Sequence, residues 1–409
     1  MSSSTPDHSA LDDGAPVVIV GGGLAAGTAV TELRERGYDG TIVLFTDEAH
    51  LPYERPPLSK AYLMDKEPAE NALVHDTAWY ADHGVDVRTG TRVDTIEPER
   101  HVVHAAGEEL AYRTLLLATG ARPRPLAIAD ASGADVHYLR TIEDATSLKE
   151  AFTPETRVGV IGAGWIGLEV AAAARLAGCT VIVWEMASTP LQKVLGDEVG
   201  ELFAQLHREH DVDVRTGVTL GSIESDGATA TVVEGDDRRT DVDLLVVGVG
   251  VEPAIELAAA AGLAVDNGVL VDAHLRTSAP DVFAAGDIAN VDHPVLGRRI
   301  RVEHWDTAQK HGAVAAAGLI GQDAVADDLP YFFTDQYDLG MEYVGNPGPE
   351  GFDEVVIAGD REGAVEGRVF RVWWLRDGVV VAGMHVNDWD AIDRVREQVG
   401  AHKSEADLS

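Results

Sequence analysis

A short apolar strand that runs into a glycine-rich turn, then a helix, then a second strand closed by an acid, occurs twice in this chain of 409 residues. The first copy starts with Val17–Val20, turns through Gly21-Gly22-Gly23-Leu24-Ala25-Ala26-Gly27, and predicts a helix over 28–36 and a strand over 41–45 that closes with Asp47. The second predicts a strand over 158–161, the turn Gly162-Ala163-Gly164-Trp165-Ile166-Gly167, a helix through Leu176 ended by Gly178, and a strand over 180–184 that closes with Glu185. Each small residue in such a turn has a physical reason. The first glycine permits the tight turn, the second lets backbone N–H groups approach a pyrophosphate, and the third brings helix against strand. The helix N-terminus turns the positive end of its dipole towards the anion. One match is weak on its own; two complete units imply two dinucleotide sites.

The closing acids carry a second expectation. Asp47 and Glu185 are placed to accept hydrogen bonds from ribose hydroxyls, and a carboxylate at Glu185 repels a 2'-phosphate, so NADH is expected in preference to NADPH. Further strands over 114–118, 244–249 and 282–285 lead into Thr119-Gly120, Gly250 and Gly286-Asp287. The end of the chain has a different pattern. Stretches over 368–375 and 379–384 flank Asp377-Gly378, a hairpin signal, and 388–399 reads as a helix.

Composition excludes several classes of function. With 69 acidic against 32 basic residues the net charge is −37, which makes nucleic acid and anionic membranes poor partners. The most hydrophobic stretch, over 244–265, is interrupted by Glu252, Pro253 and Glu256, so no membrane span is expected. Residues 1–14 lack the basic and apolar regions of a secretory signal and read as a flexible tail. A single cysteine, Cys179, rules out an internal disulfide, a Cys-x-x-Cys redox pair and a thiolate metal cage, and its apolar surroundings predict a buried residue. The histidines lack metal-ligand spacing, and Gly-x-Ser-x-Gly is absent, so neither a metal site nor a serine hydrolase is expected.

Longer motifs carry a family resemblance. The segment Pro52-Tyr53-Glu54-Arg55-Pro56-Pro57-Leu58-Ser59-Lys60 is followed by Ala118-Thr119-Gly120-Ala121-Arg122-Pro123 and Tyr138-Leu139-Arg140-Thr141. Glu169 follows the second glycine turn, and then come Gly248-Val249-Gly250-Val251-Glu252-Pro253, Ala285-Gly286-Asp287 and Glu303-His304-Trp305. Together these resemble the FAD-dependent ferredoxin and rubredoxin reductases over roughly residues 15 to 400. The resemblance implies an α/β fold of two Rossmann-like dinucleotide-binding domains, the NAD domain inserted in the FAD domain, plus a C-terminal α+β domain. The expected limits are 15–121 and 248–325 for the FAD domain, 122–247 for the NAD domain and 326–409 for the last.

Residue roles follow from the same resemblance. Gly21, Gly23, Leu24 and Ala25 would cradle the FAD pyrophosphate, Asp47 would hold the adenosine ribose, Arg55 would assist the phosphates, and Val93 would meet the adenine through its backbone. Ala118, Thr119 and Gly120 belong to the same site. Arg140 and Asp287 would hold the phosphate and ribityl portions, and Trp305 would lie at the pyrimidine end of the flavin. Gly162, Gly164, Trp165, Ile166, Glu185 and Gly250 would serve NAD. Lys60 and Glu169 would carry the redox chemistry, the lysine beside flavin N5 stabilising negative charge on the reduced ring and the acid pairing with it. A surface ion pair is the plain alternative for these two. Trp165 either covers the nicotinamide pocket or packs in the core, and His304 is expected to pack beside the flavin rather than act as a base.

Without a dithiol or a catalytic cysteine, electrons are expected to leave the flavin directly for a small iron–sulfur carrier, ferredoxin or rubredoxin, that serves a P450 or oxygenase system. Two other readings stay open: an NADH-sensing flavoprotein resembling apoptosis-inducing factor, and a direct NADH oxidase or quinone reductase. The acidic composition opposes docking to an acidic ferredoxin unless Arg298, Arg299 and Arg301 form a local patch or salt screens the repulsion. A cytoplasmic monomer or homodimer is expected.

Overall fold

The computed structural model describes residues 14–361 and 367–408, so residues 1–13 of the expected tail lie outside it. The chain forms two compact units. One takes the chain up to Arg55, then 72–122 and 252–330; the other takes 56–71, 123–251 and the chain from Tyr331 onward.

The first unit is built on a parallel sheet in the order Val282–Ala284, Thr114–Leu117, Val17–Val20, Ile42–Phe45, Val85–Arg88. Val17–Val20, Ile42–Phe45 and Thr114–Leu117 are buried along their whole length, which is why they read as unbroken apolar runs instead of alternating ones. The helix after the first glycine turn spans Leu24–Glu35, four residues earlier than its apolar spacing predicts, because its first turn, Leu24-Ala25-Ala26-Gly27, is buried all round and shows no polar face. Helix Trp305–Leu319 packs against it. At their crossing a Cβ on Gly312 would lie 2.7 Å from the Ala25 carbonyl oxygen, so only glycine allows the approach. A three-stranded antiparallel sheet, Val93–Glu97, Val102–Ala105 and Glu108–Ala111, completes the unit's strands beside Val269–Val271, Ala289–His293 and Arg298–Ile300.

The second unit repeats the design. Its parallel sheet runs Asp213–Arg215, Thr180–Trp184, Arg157–Ile161, Leu244–Val247, Val136–His137, again with the glycine turn on the central strand, and again with a small antiparallel sheet, Leu220–Ser225, Ala230–Glu234 and Arg239–Val242. The chain's last part adds an antiparallel sheet in the order Tyr331–Gln336, Leu339–Gly345, Val379–Val386, Val369–Arg376, Glu354–Asp360. Leu63, Leu168, Leu195, Phe203, Tyr343 and Trp374 share one buried core, and the Trp374 indole donates to the Leu195 carbonyl at 2.9 Å. Segment 56–71 and the C-terminal sheet therefore pack with the second glycine turn.

The hairpin at Asp377-Gly378 has φ of 51° and 73°, both positive, as a two-residue turn matched to strand twist requires. The expected helix over 388–399 is shorter, Ile392–Gln398. Asp388 is held outside it by Arg371, whose Nε donates to Asp388 Oδ2 at 2.8 Å. Among the described residues no helix is long and apolar enough to cross a membrane.

Candidate active site

In the first unit Val20 is in register with Phe45 and Leu117, and Leu117 with Ala284. The turns at Gly21, Ala118-Thr119-Gly120 and Gly286-Asp287 therefore leave neighbouring strands at their carboxyl ends, where doubly wound sheets bind ligands. Gly21 has φ of 132°, and a Cβ there would lie 2.1 Å from the Ala118 oxygen. Gly23 differs: its φ is −95°, and an added Cβ would meet nothing within 4 Å. The chain's own geometry demands the first glycine, whereas open space surrounds the second.

The second turn repeats this. Gly162 has φ of 101° and a Cβ there would lie 2.5 Å from the Gly248 oxygen, while the nearest atom to a Cβ on Gly164 is 3.9 Å away. Gly167 is the close-packing position, its Cβ site 2.1 Å from the Gly162 oxygen. Helices Leu24–Glu35 and Trp165–Leu176 begin on Gly23 and Gly164 with no side-chain cap and no acid in the first turn. By contrast, Ile142–Ala151 is closed by a capping box of Thr141 and Asp144. Bare N–H groups and open space at both turns fit the pyrophosphates of two dinucleotides.

Around the first turn, Arg55 donates to the Tyr53 hydroxyl at 2.9 Å and to Glu48 at 2.7 Å. Burial pulls its guanidinium down, but Tyr53, Glu48 and Asp287 together raise it above its ordinary value, which places Arg55 and Asp287 within electrostatic reach. Thr119 Oγ1 donates to the Ala254 carbonyl at 2.9 Å, and Gly120 has φ of 69°. The Trp305 indole donates to Glu54 at 2.8 Å. Val93 is buried beside an irregularity in strand register between Val93 and Thr95. Arg140 stands in the second unit, where its backbone N–H donates to Asp144 at 3.0 Å.

Two histidines of this unit have structural duties that the sequence did not announce. His304 caps helix Trp305–Leu319, its Nδ1 accepting from the Asp306 N–H at 3.3 Å. His311 Nδ1 accepts from the Gly286 N–H at 3.3 Å, beside Asp287, and burial pushes its imidazole down to about 4. The expected patch of Arg298, Arg299 and Arg301 is not a plain cationic surface. Arg299 donates to the Val271 and Asn290 carbonyls at 3.1 and 2.9 Å, and Arg301 is paired with Glu303.

The two closing acids are not at equivalent positions. Strand register pairs Val20 with Phe45 and Ile161 with Trp184, so the residue matching Glu185 is Thr46, and Asp47 is one further along and exposed. Glu185 is clamped: its Oε2 accepts from the Ala163 N–H at 2.7 Å, inside the glycine turn, and its Oε1 from the Ala187 N–H at 2.8 Å. Trp165 opens its helix and packs on Phe332, ring centroids 4.7 Å apart, and edge-on to Phe203 at 5.9 Å. Ile166 is 44% exposed, an uncovered aliphatic at the helix start. Gly250 has φ of 101°.

Lys60 and Glu169 meet within the second unit. Lys60 Nζ lies 2.7 Å from Glu169 Oε1, with the side chains 13% and 3% exposed, so this is no surface ion pair. Prolines 56 and 57 stiffen the approach to Lys60, which follows the 3-10 turn Pro56–Ser59. Two further donors reach the carboxylate: Ser59 Oγ to Oε2 at 2.5 Å and Thr334 Oγ1 to Oε1 at 2.6 Å. Ser59 belongs to the motif that carries Lys60, but neither its contact with Glu169 nor that of Thr334 was readable from the sequence, since neither shares a spacing with Glu169. The sole cysteine is remote in kind from this chemistry. Cys179 is buried, its thiol donates to the Thr153 carbonyl at 3.2 Å, and burial pushes the thiol up.

Comparison with known proteins agrees with this geometry. Residues 15–312 match the family described as pyridine nucleotide-disulphide oxidoreductase, and residues 331–407 match the reductase C-terminal family. The chain is 40% identical over 388 residues to the anthranilate 1,2-dioxygenase system ferredoxin–NAD(+) reductase component of Burkholderia cepacia, covering 94% of each chain. It is 38% identical to the putidaredoxin reductase of Pseudomonas putida, over 91% of this chain and 88% of that one. The crystal structure of a covalent putidaredoxin reductase–putidaredoxin complex superimposes with a TM-score of 0.87 at 36% identity, over 94% of this chain and 92% of that one. The chain therefore belongs to the pyridine nucleotide-disulphide oxidoreductase family, among its ferredoxin–NAD(+) reductases.

Proposed function

We propose that this chain is an NADH-dependent flavoprotein reductase that passes electrons through FAD to a small iron–sulfur protein, a ferredoxin or rubredoxin, serving a P450 or oxygenase. The balance is one NADH and two oxidised carriers giving NAD(+), two reduced carriers and a proton. Bound FAD supplies what protein side chains lack, a group that accepts a hydride and releases electrons singly. The observation that carries this reading is the state of Cys179: the only thiol is buried and bonded to a backbone carbonyl, so no sulfur relay stands between flavin and acceptor.

The residues then divide the work. Gly21, Gly23, Leu24 and Ala25 cradle the FAD pyrophosphate, Gly21 by shaping the turn because its own N–H donates to the Phe45 carbonyl at 2.8 Å, with Arg55 and Asp287 close by and Asp47 and Val93 towards the adenosine. Ala118, Thr119, Gly120, Arg140 and Trp305 complete that list. Gly162, Gly164, Ile166 and Gly250 serve NAD, Glu185 selects against a 2'-phosphate, and Trp165 borders the nicotinamide pocket. Lys60 holds a positive charge for the reduced ring, and Glu169 fixes Lys60. In domain terms, 15–121 with 248–325 bind FAD, 122–247 bind NAD and 326–409 form the C-terminal domain. A cytoplasmic monomer or homodimer belongs to the same reading.

The test is electron delivery to cytochrome c with NADH as donor. Reduction that requires an added ferredoxin supports the proposal. Equal rates without the carrier point to a direct oxidase, and a long-lived NADH complex with redox-dependent dimerisation and little turnover points to a sensor.

A further inference from the structure

Behind the Lys60–Glu169 pair the second unit contains a buried chain of polar groups that the roles above leave unused. Thr334, which donates to Glu169, itself accepts from the Gln336 amide nitrogen at 3.2 Å. The Gln336 amide oxygen lies 2.9 Å from His207 Nε2, and His207 Nδ1 lies 3.3 Å from the Tyr337 hydroxyl. His207 and Thr334 are 0% exposed and Gln336 1%, so these three are shielded from bulk water and depend on one another for their hydrogen bonds.

The donor sense of every link can be assigned. An amide oxygen only accepts, so His207 Nε2 must carry a proton. Burial keeps the imidazole neutral, pushing it down to about 4, so Nδ1 is bare and accepts from Tyr337, whose phenol burial also holds protonated. Gln336 must then turn its NH2 to Thr334, and Thr334 has one hydroxyl proton left, for Glu169. All donors point one way, from Tyr337 to the carboxylate. An amide does not pass protons on, so the chain transmits orientation and not protons.

Tyr337 fixes the far end through its place in the fold. It has φ of 58°, as the first residue of the two-residue turn between strands Tyr331–Gln336 and Leu339–Gly345. Its ring is held by the His207 contact and by stacking on His210 at 3.6 Å between ring centroids. If the His207 Nε2 proton were lost, the Gln336 amide could rotate so that its oxygen accepts from the Thr334 hydroxyl, which would then present a lone pair to Glu169.

We propose that His207 is a positioning residue for the Lys60–Glu169 pair, acting through Gln336 and Thr334 to keep a hydroxyl donor on Glu169. The proposal rests on the reading of Lys60 as the cation of the redox site.

The test uses the FAD-loaded full chain and reads Lys60 itself. Labelling with an amine-reactive reagent, quantified by peptide mass spectrometry, should show Lys60 on the order of ten-fold more reactive in His207→Leu and in Thr334→Val, the factor set by one hydrogen bond to a charged group. The double variant should add nothing further. His207→Gln, which restores a donor near Nε2, should restore protection. Nitrogen NMR of 15N-histidine-labelled wild type should show the Nε2–H tautomer at His207, a result independent of whether any variant folds. Unchanged Lys60 reactivity, additive variants or an Nδ1–H tautomer would overturn the proposal. Altered reactivity with an unchanged rate of flavin reduction by NADH would instead remove the redox role of Lys60 and leave the positioning role standing.

Discussion

Glu185 and Ala163 are joined by a 2.7 Å hydrogen bond from the Ala163 N–H to the Glu185 carboxylate, so the acid proposed to face the ribose is also part of the glycine turn. Its second oxygen is held by Ala187, which leaves the group little freedom to swing away from a phosphate. Like-charge juxtaposition of this kind costs several kcal/mol, so kcat/KM for NADH should exceed that for NADPH by about a hundredfold or more. Glu185→Ala should lower that ratio and also destabilise the unit by about 1–3 kcal/mol, because two backbone N–H groups lose their acceptor. Steady-state kinetics with both nucleotides and denaturant unfolding of the variant check the two halves separately.

Lys60 and Glu169 should respond asymmetrically to truncation. Glu169 is 3% exposed and keeps Ser59 and Thr334 when Lys60 is removed, whereas Glu169→Ala leaves a lysine that is 13% exposed without its carboxylate. Breaking one side of such a pair costs about 3–5 kcal/mol, the more exposed partner sitting at the lower end. Lys60→Ala should slow reduction by NADH at least about ten-fold in stopped flow, in line with removal of one preorganised charge. A wild-type rate would remove Lys60 from the chemistry.

The glycines of each turn should separate folding from ligand binding. Gly21→Ala forces a Cβ to 2.1 Å from a backbone oxygen at φ of 132°, and should cost about 3 kcal/mol or more or abolish folding of the first unit. Gly23→Ala meets open space at φ of −95°, and should change stability by no more than about 0.5 kcal/mol while weakening FAD retention. Thermal unfolding of the apoprotein and flavin titration distinguish the two effects.

Much of this was legible because it is local. The strand–glycine turn–helix syntax states its own reasons residue by residue, and the Asp377-Gly378 hairpin needs only positive φ at adjacent positions. Strand register depends on tertiary pairing that the sequence does not display, and it puts Thr46 at the position equivalent to Glu185, with Asp47 one residue further along. The 388–399 helix was overextended because the pull of Arg371 on Asp388 comes from another strand. The Lys60–Glu169 pair was visible only through resemblance. Ser59 stood in the motif beside Lys60 without a role of its own, and Thr334, Gln336 and His207 were invisible altogether, since a hydrogen-bond chain assembled by tertiary folding leaves no period or spacing.

Cys179 should be chemically silent. Its thiol is buried, raised by burial and bonded to the Thr153 carbonyl. Iodoacetamide should therefore leave NADH-dependent ferredoxin reduction unchanged in the native protein, and Cys179→Ala should retain activity with a loss of about 1 kcal/mol of stability. Rapid inactivation by the reagent, with modification mapped to Cys179, would bring back a thiol relay.

Acid should weaken the fold through its buried imidazoles. His207 is 0% exposed and its imidazole is pushed down to about 4, against about 6.5 in the unfolded chain. Above pH 6.5 both states are neutral at this residue and it contributes no pH dependence. As pH falls below 6.5 the unfolded chain takes up a proton that the folded chain refuses, so stability declines until the folded form titrates near pH 4. The difference amounts to about 3 kcal/mol for this group. His311, displaced in the same direction, adds to the decline over the same interval. Urea unfolding of His207→Gln and wild type between pH 7 and pH 4 isolates the first contribution. The variant's stability should fall less steeply, the gap between the two curves changing by about 3 kcal/mol across the interval; parallel curves would mean that the imidazole titrates normally within the fold.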